Sequence, residues 1–207
     1  VGELHVITTG KDSAHQAALK IKGIIPFVTA VHVREKTLSQ QAYIQFVRIL
    51  LKHGIPKNKI IANTYAEAAG ELGLKGVHLP EKGPNPEEVK RLYPELVVGC
   101  SVHSKETAVK KEKQHADYLF YGNVFSTSCK PGLEGKGLEQ LSHVVQSVSI
   151  PVIAIGGIHP ESVYGVRQTG ALGVAVMSGI MNAEDPVWMC QEYVRQLKEE
   201  EKHGESS

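Results

Sequence analysis

Ala116-Asp117-Tyr118-Leu119-Phe120-Tyr121-Gly122-Asn123-Val124-Phe125-Ser126-Thr127-Ser128-Cys129-Lys130-Pro131-Gly132-Leu133-Glu134-Gly135-Lys136-Gly137 reads as a strand that runs into a loop and opens a helix. The strand part, Asp117 to Gly122, is aromatic and apolar and contains no breaker. The loop part carries Ser126, Thr127, Ser128 and Lys130 close together. Small hydroxyls, one amine and backbone N–H groups at the C-terminal end of a strand make an anion pocket. Loops of this length inside a compact domain are usually functional or disordered. The flanking strand and helix argue for function.

Outward from this unit the same strand-then-helix alternation recurs. Leu4 to Thr9 is a β-rich run closed by Gly10, and Asp12 or Ser13 caps a helix to Lys22. Phe27 to Arg34 is a second strand; Ser39 then caps a helix with Ala42, Phe46, Ile49 and Leu50 at helical spacing. Lys59 to Asn63, Gly76 to Leu79 and Leu96 to Ser101 are strands, followed by helices over 65–72, 86–93 and 104–113. After the quoted unit and its helix, 138–148, come the apolar strand Pro151 to Gly157 and a helix from Pro160 toward Gly170. The eighth strand is Gly173 to Ile180, and a last helix spans 184–198.

Strands that read as continuous apolar runs are buried on both faces, which means a parallel sheet covered by helices. Eight such units predict a closed (β/α)8 TIM barrel, one domain over 1–207, with a frayed polar tail at 199–207. The rival, an open doubly wound sheet, wants a glycine-rich turn after the first strand. Thr8-Thr9-Gly10-Lys11-Asp12 does not supply one.

A net charge of +1 over 207 residues gives no reason to expect nucleic acid as a partner. No apolar run approaches the roughly 18 residues of a membrane span. Cys100, Cys129 and Cys190 have no metal-binding spacing and are odd in number, which predicts free thiols in a reducing cytoplasm. Trp188 and Tyr193 on the last helix belong either to the core or to a homo-oligomer interface.

Barrels of this kind place their chemistry at the strand C-termini. The candidates there are Thr8, Thr9, His32, Arg34, Lys36, Asn63, His78, Cys100, Ser101, His103, Asn123, Thr127, Lys130, Gly156, Gly157, Ser178 and Gly179. This set is polar and cationic, so the expected ligand is an anion. Ile155-Gly156-Gly157 and Met177-Ser178-Gly179 predict a phosphate site on the last two strands, with Thr127 at its edge. The alternative is that these glycines merely turn the chain. Arg34 and Lys36, helped by Lys130, are expected to hold a carboxylate or second anion, unless Glu35 takes up Arg34. His32 and His78 read equally well as satisfied interior histidines. Cys100 and Cys129 lack a histidine base and read as lining residues. No His, Cys, Asp or Glu cluster has metal-ligand spacing, so no metal and no cofactor are expected.

Gly99-Cys100-Ser101-Val102-His103-Ser104, Ala116-Asp117-Tyr118, Lys130 to Gly137, Pro151 to Ile158 and Ala175 to Ile180 resemble the thiamin phosphate synthase-like superfamily. Within it they look most like the thiazole tautomerase branch. For the synthase, the resemblance implies Mg²⁺ and an aspartate directly after the strand-three asparagine. It also implies another just after the strand-four His-Leu. Here those places read Asn63-Thr64 and His78-Leu79-Pro80-Glu81, which ranks the synthase below the tautomerase. For the tautomerase, it implies metal-free proton transfer that aromatises a carboxylated dihydrothiazole phosphate. The small phosphorylated, carboxylated thiazole would be the partner, with Asn63, Cys100 and Ser101 among its contacts. Asn123 stands where that branch has its acid/base histidine, and an amide cannot shuttle a proton at neutral pH. Three accounts follow: a slowed enzyme, transfer by His78 or His103 instead, or a barrel kept for a non-catalytic binding or regulatory role.

Overall fold

In the computed structural model, which describes residues 2–127, 132 and 134–198, eight parallel strands close into one barrel. They are β1 (Glu3–Ile7), β2 (Ala30–Val33), β3 (Ile60–Asn63), β4 (Gly76–Leu79), β5 (Val97–Val102), β6 (Tyr118–Gly122), β7 (Val152–Ile155) and β8 (Gly173–Val176). Closure is made by β8 on β1, from Glu3 beside Gly173 to Val6 beside Val176. The helices are α1 (Ala14–Ile24), α2 (Gln40–Lys52), α3 (Ala66–Leu72), α4 (Pro86–Leu92), α5 (Lys105–Lys113), α6 (Gly137–Val145), α7 (Val163–Gln168), α8 (Ser178–Met181) and α9 (Pro186–Lys198). The expected (β/α)8 architecture is therefore present. Lys130, Cys129 and the tail 199–207 lie outside the described residues.

Local chemistry explains where the helices start. Ser13 accepts the Gln16 N–H while the Gln16 side chain accepts the Ser13 N–H, a reciprocal cap on α1. Ser39 caps α2 through the Ala42 N–H. The buried face of α2 is Tyr43, Ile44, Phe46, Val47 and Leu50, rather than one including Ala42, which is exposed. Each such buried side chain contributes roughly 1.5–3 kcal/mol. The second strand begins three residues later than expected, because Ile25–Phe27 forms a 3₁₀ turn around Pro26. Ser178–Met181 is a helical turn, not the end of a strand. Beyond Val176 the closing pairing with β1 has ended, and the Met181 N–H turns back to the Met177 carbonyl at 2.9 Å.

Alternation along the strands creates two cores. One lies between barrel and helices and takes Val98, Cys100 and Val102 from β5, and Leu119 and Tyr121 from β6. The other fills the barrel with Ile7, Ala30, Ile61, Tyr118, Phe120, Ile153 and Ala175. Three buried histidines, His5, His32 and His78, stand among these side chains. A barrel interior is ordinarily dominated by branched aliphatics, so the polar content of this one needs partners.

Candidate active site

The interior histidines find their partners in series. Nε2 of His5 lies 2.8 Å from a Glu3 carboxylate oxygen, and its Nδ1 lies 2.9 Å from Nε2 of His32. His78 Nδ1 lies 3.2 Å from the Tyr118 hydroxyl and its Nε2 lies 2.9 Å from the Ser101 hydroxyl. Burial pushes the His78 imidazole down to about 3 and pushes His32 well below its ordinary value. Burial likewise pushes the Tyr118 phenol well above its ordinary value. These are neutral interior groups at physiological pH. A histidine with so low a pKa is a poor general base, which removes His78 from the acid/base role that the resemblance left open for it.

Around the strand ends the groups differ in reach. Ser101 is the inward-facing residue two positions beyond Gly99 on β5 and is partly exposed. Cys100 is wholly buried in the helix-facing core, with its thiol pushed up to about 11 by that burial. The expected ligand contact at Cys100 is therefore corrected: strand alternation turns its side chain away from the barrel interior. Asn63 is half-buried beside Thr64, whose hydroxyl donates to its side-chain oxygen at 3.4 Å. Arg34 is half-buried and Lys36 exposed. The Thr8 hydroxyl accepts the Arg34 N–H at 2.8 Å and donates to a Glu35 carboxylate oxygen at 2.7 Å. Burial raises the Glu35 pKa, against the pull of the Thr8 bond. Thr8 and buried Glu35 thus fix the backbone that carries Arg34.

Asn123 is buried, and its amide nitrogen donates to the carbonyls of Phe125 at 3.3 Å and Glu134 at 3.4 Å. Its contacts tie the two ends of the loop together. Gly156 and Gly157 have φ of +99° and +65°, a region that side chains rarely adopt. A β-carbon on Gly156 would lie 2.5 Å from Cβ of Asn123, and one on Gly157 would lie 2.4 Å from the Ser126 carbonyl oxygen. The diglycine therefore lets the end of β7 pass against the loop after β6. Ser178 and Gly179 open the turn α8, and Thr127 is half-buried on the facing loop.

His103 is exposed and directed at an acid. Glu81 accepts its backbone N–H at 2.7 Å and lies 2.9 Å from its Nδ1. Burial pushes the Glu81 carboxyl up, but the His103 hydrogen bonds outweigh it and leave the pKa lowered. The Lys136 amine donates to the His103 carbonyl and sits 5.3 Å from the Tyr121 ring centre. His103, Tyr121 and Lys136 border a cleft of about 760 Å³ between α5 and α6, lined also by Gln140 and His143. Sequence reasoning had not marked Lys136 or the His5–His32 pair. The period-two placement of His5, His32, Tyr118 and Phe120 was the available signal for the pair.

The resemblance to the synthase implied Mg²⁺, and the residues do not fit it. Magnesium is usually held by carboxylates. Thr64 offers only a hydroxyl, Glu81 is engaged by His103, and no group of three or more metal-ligating residues occurs among the described residues. The same described residues include no helix long and apolar enough to cross a membrane.

The fold is a (β/α)8 barrel with polar side chains, Asn63 and Ser101 among them, at its strand C-termini. The sequence matches the family described as thiamine monophosphate synthase over residues 4–180, and the chain belongs to that family. It is 44% identical over 120 residues to a thiamine-phosphate synthase of Caldivirga maquilingensis, a match spanning 58% of each chain. It is 31% identical over 176 residues to the Clostridium tetani thiamine-phosphate synthase, spanning 83% of each. A solved thiamine phosphate pyrophosphorylase from Pyrococcus furiosus superposes with TM-score 0.76 at 31% identity, over 95% of both chains. These relatives overturn the expected tautomerase: they carry the synthase activity that the sequence reading ranked below it.

Proposed function

We propose that this chain is a transferase of the thiamine-phosphate synthase type, coupling a pyrimidine pyrophosphate to a thiazole phosphate at the barrel mouth. The observation that carries the reading is the family match over residues 4–180, reinforced by relatives of that activity along most of the chain. In the reaction, a bond from the thiazole ring nitrogen to the methylene carbon on the pyrimidine replaces that carbon's bond to pyrophosphate, which departs with the electron pair. The protein's work is to bind two anions side by side and to stabilise the departing negative charge.

The chain's own groups suit that work. Arg34, held by Thr8 and Glu35, and Lys36 supply positive charge on the β2 side. The main chain of Gly156, Gly157, Ser178 and Gly179 supplies N–H groups on the β7–β8 side, with Thr127 beside them. Lys130 adds a cation to the same loop in sequence. Asn63 and Ser101 supply hydrogen bonds between the two sides. Thr64 in place of the family's acid leaves charge neutralisation to these cations and amides.

The test is direct. Purified chain is incubated with the pyrimidine pyrophosphate and thiazole phosphate, with and without Mg²⁺, and thiamine phosphate and released pyrophosphate are measured. Stoichiometric appearance of both products is expected. Tight binding of thiazole phosphate with no product under either condition would overturn the transferase reading.

A further inference from the structure

Lys111 is a buried cation without a counter-charge among the described residues: it is 5% exposed, and none of their ion pairs includes it. It shares the buried face of α5 with Ala108. Its charge reaches the Cys100 thiol, which burial pushes up to about 11 against the downward pull of Lys111. The acids around it are engaged elsewhere. Asp117 accepts from the Lys90 amine at 2.6 Å and from the Val98 N–H at 2.7 Å. Glu112 accepts the Ser149 N–H at 2.6 Å, and Glu81 is turned to His103. A buried charge with no partner is strongly unfavourable, so such charges are ordinarily paired.

Lys111 lines a pocket of about 340 Å³ between the 81–85 loop and α5. Lys82 and Lys110 line the same pocket, where Glu81 is the acid. Gln114 lines it too, and its side-chain oxygen is buried without a hydrogen-bond partner. The bland alternative is a lysine that buries its stem and lets its head snorkel to water. That accounts for the stem of Lys111. It does not account for three like charges around one small volume, or for the orphaned amide oxygen. Like charges so placed repel one another unless an anion lies between them. Three ammonium groups against one engaged carboxylate suit a doubly charged anion better than a monocarboxylate. The Gln114 oxygen also calls for a donor. Hydrogen phosphate brings two negative charges and one P–OH proton, and a phosphomonoester with a hydroxyl on its carbon part brings the same combination.

We propose that this pocket binds a phosphate dianion, with Lys111 as its buried anchor, Lys82 and Lys110 at its rim, and Gln114 accepting a hydroxyl proton of the ligand. The site lies outside the barrel, and Arg34, Asn63, Ser101, Gly156 and Ser178 are not among its lining residues. It therefore stands or falls independently of the transferase reading.

Nitrogen-15 NMR of the full chain, titrated with inorganic phosphate, reads this pocket separately from the barrel mouth. Saturable shifts are expected at the Gly83 and Thr107 amides and at the Gln114 side chain. Shifts confined to the ends of β7 and β8, or no saturable shift, overturn the proposal. Lys111→Met keeps the stem and removes the charge. It should weaken binding at these signals about tenfold, the scale of one charge-assisted hydrogen bond, while Arg34→Ala leaves it unchanged. Equal affinity in Lys111→Met, or a matching loss in Arg34→Ala, overturns the proposal. In urea without phosphate, Lys111→Met should be at least as stable as wild type, because it removes an uncompensated buried charge. A clear loss of stability there would mean that Lys111 already has a partner in the protein, against the proposal. Sulfate, a dianion with no proton to give, should bind several-fold more weakly than phosphate, and equal binding overturns the part assigned to Gln114. Glycerol 3-phosphate distinguishes the sources: tighter binding than inorganic phosphate assigns the pocket to a phosphomonoester, weaker binding to the free anion. Because the shifts are mapped on wild type, they decide the matter even where Lys111→Met fails to fold.

Discussion

Gly99 and Tyr118 share one volume in the barrel: a β-carbon on Gly99 would lie 2.0 Å from Cζ and 2.4 Å from the hydroxyl oxygen of Tyr118. The two residues sit side by side on β5 and β6, and the phenol reaches His78 only across the bare glycine. Gly99→Ala should therefore destabilise the fold by about 2–3 kcal/mol, the scale of overpacking in a dense core. Urea unfolding measures the loss. Combining Gly99→Ala with Tyr118→Leu should recover part of it, and strictly additive losses would refute the shared-volume account.

The interior histidines predict how stability follows pH. His78 titrates near 6.5 when unfolded and is lowered to about 3 when folded, and His32 is lowered in the same direction. Between those values the unfolded chain binds more protons, so stability is fully present above pH 6.5 and falls as pH drops toward 3. For His78 alone the full span is on the order of 5 kcal/mol. Chemical denaturation at a series of pH values should show this fall. His78→Gln, which cannot be protonated, should flatten it, and an unchanged slope in that variant would contradict the assignment.

Thr8 and Glu35 predict a second, opposite pH effect. Glu35 is raised above 4.5 by burial, and the Thr8 bond opposes that rise. An acid harder to ionise when folded costs stability as pH climbs through its folded pKa. Thr8→Val removes the opposing bond, so the Glu35 pKa should climb further and the loss above pH 4.5 should grow. The missing hydrogen bond by itself is worth about 1–3 kcal/mol. Carbon-13 NMR of the Glu35 carboxyl follows the titration, and a lower pKa in Thr8→Val would reverse the argument.

Anion binding at the mouth gives the remaining predictions. Arg34→Ala should weaken thiazole phosphate or pyrophosphate by about 10- to 100-fold, the equivalent of a charge-assisted hydrogen bond of roughly 1.5–3 kcal/mol. The loss should shrink at high salt. Gly157→Ala places a side chain at φ +65° against the Ser126 carbonyl, so it should both lower stability and weaken the anion. Calorimetry on each variant checks this. Unchanged affinity in both would place the anion elsewhere, and the cleft bordered by His103 and Lys136 would be the next region to test.

Much of the barrel was legible along the chain. Apolar runs such as Val152 to Ile155, the serine caps at Ser13, Ser39 and Ser104, and the glycine after α3 at Gly73 are local signals. Local signals are set by neighbours within four residues, so sequence alone carries them. That every strand C-terminus lies on one face was legible for the same reason, since eight βα units in alternation make the strands parallel. Cys100 was misread because a strand end names a position and not a side: one step along β5 separates the inward Ser101 from the outward Cys100.

What the sequence by itself determined about this protein is the alternation of eight strands and helices and the polar character of one barrel end. The tertiary structure alone decided that Glu3, His5 and His32 connect, that Tyr118 reaches His78 over Gly99, and that Asn123 binds both ends of its own loop. Those outcomes depend on which residues of different strands come level when the barrel closes. That register is a property of the whole ring of strands, so no single stretch of the chain encodes it.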